Sequence, residues 1–164
     1  MTNEETLIQT AERLRQPGAE AAAEFESLRD SLAEELNRRM AKRPDLDKLI
    51  GPDNLSMMQD NSRNFGRFMS TMFQDYEPAV LAETVLWVFR AYRSHGFATT
   101  YWPAHLDTFV EIIRERLSPA AFTEVYPFFQ WLIVNIPLFV KFSDEQLSQP
   151  LSAEPGHDPE PLRP

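Results

Sequence analysis

Histidines, carboxylates and aromatic rings are the side chains here that could do chemistry, because the chain of 164 residues contains no cysteine. That absence removes thiolate metal sites, cysteine nucleophiles, disulfide frameworks and thioether-linked cofactors, and it fits a reducing compartment. The three histidines are His95, His105 and His157. They form no HxxxH or HExxH pair, and His95 and His105 are ten residues apart across a predicted helix break, so no metal site is expected. His95, next to Gly96, reads as a helix-end residue interacting with the dipole, and His105 as a solvent-side residue of a first turn. Either could instead ligate a haem iron from one side, which needs one imidazole and an apolar pocket. Haem or another tetrapyrrole is therefore the alternative to a reading without cofactor.

The carboxylates offer less. Asp107, Glu111 and Glu115 repeat at i, i+4 and i+8, interleaved with Arg114 and Arg116, the pattern of a solvated helix face. No GxSxG, P-loop or GxGxxG occurs, and five glycines leave little material for a phosphate-cradling loop, so catalysis is not expected. A formal charge of −9 argues against nucleic acid as a partner, since phosphate binding needs a concentrated basic surface. The one basic cluster, Arg38, Arg39, Lys42 and Arg43, reads as a helix C-terminus ahead of Pro44, with a phosphate or partner site as the alternative.

Aromatic residues make up 12% of the chain, enough to line a cavity as well as a core. The group Met57, Met58, Met69 and Met72 and the rings Phe128 and Phe129 read first as core. The segment RSHGFATTYW, ending at Trp102, concentrates rings between two helices, where recognition tends to sit. The candidate ligand- or partner-binding set is Tyr92, His95, Phe97, Tyr101, Trp102, Trp131 and Asn135. Asn61 and Asn135 are the polar residues expected on apolar faces, and each needs a partner if buried.

Helices must position these residues, because apolar residues recur with period 3.6 and no period-2 run is found. Thr2 and Glu5 have capping-box spacing, and Leu7, Ile8, Ala11 and Leu14 form a short stripe ended by Pro17 and Gly18, expected as a peripheral arm over residues 1–18. Phe25, Leu28, Leu32, Leu36 and Met40 predict a long amphipathic helix from Glu20 to Arg43. Residues 45–50 predict one or two turns, with Gly51 suited to a left-handed cap and Pro52 blocking continuation. Asp53 or Asn54 can cap the next helix, whose stripe is Leu55, Met58, Phe65, Phe68, Met69 and Met72, with Asn61 on the same face.

A further helix follows Pro78 and stops at Gly96. Another starts at Thr99 or Thr100, with Trp102, Leu106, Phe109, Val110, Ile113 and Leu117 facing one way. Ser118-Pro119 is a cap followed by proline at the first helical position, and the last helix should kink near Pro127. Val125 to Val140 is the most apolar stretch, yet 16 residues fall short of the roughly 20 that span a bilayer, so a buried central helix is expected. The acidic, polar N-terminus lacks a signal peptide's pattern, which makes the cytoplasm the default.

The expected architecture is an all-α bundle of about six helices, the arm included, with an all-α domain over residues 19–148. Residues 149–164, with five of the 13 prolines falling in the last fifteen positions, are expected to be a disordered tail. From Glu83 to Ile136 the order is helix, Gly96 with an aromatic, a helix containing LDTFVEII, a Ser-Pro break and a helix. Together with the long helix from Phe25 to Met40, this order resembles the N-terminal sensory domains of bacterial stressosome co-antagonist proteins. The resemblance implies a globin-like fold without haem and a sensory role; a non-enzymatic regulatory, protein-binding domain acting as a homodimer is the expected reading. Members of that family carry a phosphate-accepting domain after the sensor, where this sequence has its Pro-rich segment. Phycobiliprotein-like domains are similar at the same level, but without cysteine the chain could not attach a bilin in their usual way. A client-binding chaperone using the tail or the aromatic loop is the remaining alternative.

Overall fold

The computed structural model describes residues 2–147, which are helical with no strand among them; the Pro-rich segment and His157 lie outside the described residues. Eight helices follow one another: α1 (Asn3–Ala11), α2 (Ala19–Ala41), α3 (Leu46–Ile50), α4 (Leu55–Gln74), α5 (Pro78–Ser94), α6 (Tyr101–Arg116), α7 (Pro119–Val134) and α8 (Ile136–Leu147). The number exceeds six because the short stretch after Pro44 closes into α3 and the last apolar run is two helices.

Local signals set most of the boundaries. Thr2 Oγ1 accepts from the Glu5 N–H at 3.1 Å while the Thr2 N–H donates to the Glu5 carboxylate at 3.0 Å, completing the capping box. Ser118 caps α7 by accepting from the Ala121 N–H at 3.2 Å, with Pro119 in the first turn. Pro78 opens α5, and Gly96, at φ 104°, ends the turn that follows it. Asn54 precedes α4 but does not cap it through its side chain.

Two expectations are corrected. α1 is not peripheral: Leu7 and Ala11 are fully buried, the Tyr76 hydroxyl donates to the Ala11 carbonyl at 2.6 Å, and Trp131 Nε1 donates to Thr10 Oγ1 at 2.9 Å. A nine-residue helix is unstable alone, so its stripe holds only when packed, here against α5. The break in the last apolar run comes at Asn135 and not at Pro127. Pro127 stays within α7 on its exposed side. Two residues past Asn135, Pro137 cannot donate to the Ile133 carbonyl and its ring would crowd it, so the chain turns by 47° into α8. Asn135 covers the turn, its Nδ2 donating to the Trp131 carbonyl at 2.9 Å.

α2 packs most extensively on α4, and Gly66 permits the close crossing: a Cβ there would lie 3.3 Å from the Arg29 carbonyl oxygen. α5 is buried nearly all round and packs on α1 and α8, while α6 lies against α2 and α7. The core joins all of these through edge-to-face rings, among them Phe25 on Phe73 at 4.9 Å and Phe73 on Phe128 at 5.1 Å.

The loop after α3 is locked to the loop after α5. Asn54 Nδ2 donates to the Ile50 carbonyl at 2.7 Å and to the His95 carbonyl at 2.9 Å, and the Ala98 N–H donates to the Leu49 carbonyl at 2.8 Å. Gly51 sits at φ 77°, and a Cβ on it would come 2.8 Å from the Gly96 carbonyl oxygen. Gly51→Ala is therefore expected to lose about 1–3 kcal/mol for a backbone, φ 77° and ψ 175°, that essentially only glycine adopts, and a further increment from the displaced loop. Gly96→Ala, whose Cβ would meet only the Asn54 amide nitrogen at an ordinary 3.7 Å, should lose only the backbone part. Urea unfolding of both variants tests this, and equal losses would show that the loop approach is not tight.

Candidate functional site

α4 and α5 are consecutive, yet they do not pack closely on each other, because α4 is committed to α2 and α5 to α1 and α8. The space between them is an apolar cleft with a cavity of about 30 Å³. Asn61, Phe65 and Phe68 line one side at i, i+4 and i+7 of α4, and Val85, Val88 and Phe89 of α5 line the other. Trp102 and His105 of α6 form the floor, and Leu132 and Phe139 close the end. No Lys, Arg, Asp or Glu lines it, and its accessible surface is apolar. Phe65, Phe68 and Val85 remain half-exposed at the mouth.

His105 corrects the solvent-side expectation most sharply. It is fully buried, and neither Nδ1 nor Nε2 has a hydrogen-bond partner. Rings surround it, with Phe65 at 5.2 Å and Tyr101 at 5.3 Å between centroids. Burial with no acid nearby pushes the imidazole down to about 3, so it is neutral at pH 7. The signal was present in the spacing: residue 105 is three beyond Trp102 and four before Phe109, hence on the apolar face.

Asn61 behaves as expected. It is 1% exposed and donates to the Tyr101 hydroxyl at 3.0 Å. Burial raises the Tyr101 phenol well above its ordinary value, so it stays a neutral hydroxyl. Trp102 Nε1 is the second buried polar group at the floor and has no partner.

The other candidate residues fall into separate places. Tyr92, Phe97, Tyr101 and Trp102 do form one cluster, with Phe97 edge-on to Tyr92 and to Tyr101 at 5.0 Å each, but all four are buried. They hold the α5–α6 corner together, and only Trp102 reaches the cleft. His95 is exposed at the C-cap of α5, away from the cleft wall. Trp131 packs on Phe139 and bonds Thr10, and Asn135 serves the helix break. Phe65, Phe68, Val85 and Val88 were not singled out as a site, since periodicity marks them only as helix stripes.

Three of the four residues of the basic cluster, Arg38, Arg39 and Arg43, are engaged in ion pairs. Glu35, though on α2's polar sequence pattern, is largely buried and binds Arg38 and Arg39, whose guanidinium groups hold its carboxyl down to about 2. Arg39 also reaches Glu115 at 2.7 Å, tying α2 to α6. Arg43 pairs with Asp45 at 2.9 Å. Among the described residues no group of three or more His, Asp or Glu could hold a metal ion. Among the described residues no single helix is long and apolar enough to cross a membrane; α7 and α8 reach that length only together, across their bend. Comparison with protein-family models, curated proteins and solved structures finds no match.

The haem reading can be tested against the cleft itself. His105 supplies an imidazole in an apolar wall, but ligand pockets run to roughly 300–1,000 Å³, and about 30 Å³ is open here. A tetrapyrrole does not fit the cleft as it is packed.

His105 also makes stability depend on pH. Its folded value is lowered from 6.5 to about 3, so below pH 6.5 the unfolded chain takes up a proton that the folded chain refuses. The contribution is complete above that pH and falls by up to ~1.4 kcal/mol per unit as pH drops toward 3. His105→Leu should therefore equal or exceed the parent in stability at pH 7, since a buried orphan polar group is removed. It should gain further on the parent by pH 4.5 in urea titrations. Parallel pH profiles would contradict the burial of a neutral imidazole.

Proposed function

We propose that the chain is a non-enzymatic sensory or regulatory domain of globin-like type, which takes a small apolar ligand in the α4–α5 cleft and acts on a partner protein as a homodimer. The observation that carries this reading is the cleft: two consecutive helices held apart, with apolar side chains facing each other across the gap. Cores are otherwise filled to crystal-like density, so an apolar gap open to the surface is suited to a ligand. The globin-like part rests on eight helices arranged about a pocket, with the fourth and fifth as its walls and the sixth as its floor. It agrees with the order of elements that resembles stressosome sensory domains.

A route to a partner follows from α5. One face of it forms the cleft wall, and Arg93 near its end donates to Ser143 Oγ at 2.8 Å and pairs with Asp144 on α8. A ligand that favours a wider cleft would displace α5 and with it α8, provided it binds the wider state better. For self-association, the outer side of α7 offers stacked, half-buried Phe122 and Tyr126 and, one helix end away, Val134 at 67% exposure. The client-binding alternative depends on the Pro-rich segment, outside the described residues.

Titration with the uncharged fluorophore N-phenyl-1-naphthylamine tests the cleft. One saturable site is expected, weakened about tenfold or more in Val85→Trp, which fills the mouth, with far-UV circular dichroism unchanged. No binding, or equal binding to the variant, would remove the basis of the proposal. Light scattering that returned a monomer at all concentrations would remove the dimer.

A further inference from the structure

The cleft's walls and floor differ in chemistry, and the difference selects among ligands. The walls offer mainly hydrocarbon and rings, with the Asn61 amide and the Thr84 hydroxyl as their polar groups. The floor holds two buried polar side chains with unspent hydrogen-bonding capacity: both nitrogens of His105, and Nε1 of Trp102. A neutral imidazole presents one donor and one acceptor, and the indole adds a donor. Buried polar groups without partners are uncommon in folded proteins, and here they line a cavity. Asn61 is engaged through Nδ2 with Tyr101 and stands beside them in the same wall.

From this we infer that the cleft binds a small uncharged amphiphile, with a hydrocarbon body between α4 and α5 and a single hydroxyl or amide-like group on His105. The inference rests on reading the cleft as a ligand site. Charge is excluded by the wall, which has no ionised side chain to pair with a carboxylate or an ammonium; burying either one unpaired costs far more than a hydrogen bond returns. A pure hydrocarbon would leave the His105 nitrogens unpaired. A hydroxyl can donate to one imidazole nitrogen or accept from the other, depending on the tautomer. The present cavity has room for little more than the polar group, so the body must enter by moving the mouth. Phe65 is held there by ring contacts to His105, Phe109 and Phe129, whereas Phe68 has no such ring partner among the described residues. Phe68 is accordingly the side chain that yields.

Titrations of the full chain with 1-hexanol, hexane and hexanoate at pH 7.5, followed on the Trp102 indole N–H resonance, test the assignment. 1-Hexanol is expected to bind about tenfold more tightly than hexanoate and more tightly than hexane after correction for transfer from water, one hydrogen bond being worth about that factor. In His105→Leu the preference for 1-hexanol over hexane should vanish while hexane still binds. Hexane and 1-hexanol binding equally to the parent, or a preference that survives in His105→Leu, would overturn the anchor and leave the cleft as a ligand site. Tighter binding of hexanoate would overturn the uncharged class. If none of the three binds while N-phenyl-1-naphthylamine does, the small-amphiphile assignment alone fails. If none of the four binds, the ligand-site reading fails with it.

Discussion

The close crossing of α2 and α4 at Gly66 is the constraint on which the rest of the arrangement depends. A backbone approach that leaves 3.3 Å between the place of a Cβ and the Arg29 carbonyl brings the two longest helices together along their length. Once α4 is committed to α2, the opposite face of α4 can meet α5 only through the outermost ends of its side chains. Asn61, Phe65 and Phe68 stand on that face. The cleft is thus a consequence of how α4 spends its other side, and α6, packed on α2 beneath the gap, necessarily supplies the floor.

Polar groups on that floor are tolerated because the rings around them leave no better arrangement. Phe65, Tyr101 and Trp102 enclose His105, and the Asn61 amide is taken by the Tyr101 hydroxyl. Neutrality limits the penalty: a charged imidazole there would face no counter-ion. Elsewhere the half-buried Asn54 serves two carbonyls in different loops, and the buried Asn135 bonds the Trp131 carbonyl. Asn37 Oδ1, Asn64 Nδ2 and Trp87 Nε1 are likewise buried without partners, and what sets His105 and Trp102 apart is that they line the cleft.

Legibility in the sequence divides along the same physical line. Features decided within a few residues could be read directly: the capping box at Thr2, Pro78, Gly96, and the Ser118-Pro119 restart each act through backbone geometry next to them. Features decided by distant partners could not. Leu7 and Ala11 look like the stripe of a free arm until α5 covers them. Pro127 and Pro137 carry the same missing donor and both are exposed, and what separates them is Asn135, whose side chain bonds the Trp131 carbonyl at the end of α7. The aromatic loop before Trp102 looked like a recognition surface because rings, Gly and Thr cluster there. Its rings are instead turned inward by the clamp between Gly51 and Gly96. His105 was readable from its spacing to Trp102 and Phe109, and was passed over because a histidine near a helix start usually meets solvent.

The placement of α5 gives the cleft its mechanical significance. α5 is the wall of the cleft on one side and the support of α1 and α8 on the others, and it carries no exposed face wide enough to move without disturbing a neighbour. Close-packed interiors shift between discrete arrangements and do not deform gradually. Widening the gap to admit a ligand body therefore has to be accommodated at the far side of α5, where Arg93 grips Ser143, Asp144 and the Val140 carbonyl within two turns of α8. α4 is the less compliant wall, fixed by its glycine crossing, and so the displacement falls on α5. If the proposed ligand enters the cleft, the displacement of α5 would be carried to α1 and α8, the helices packed on its other sides.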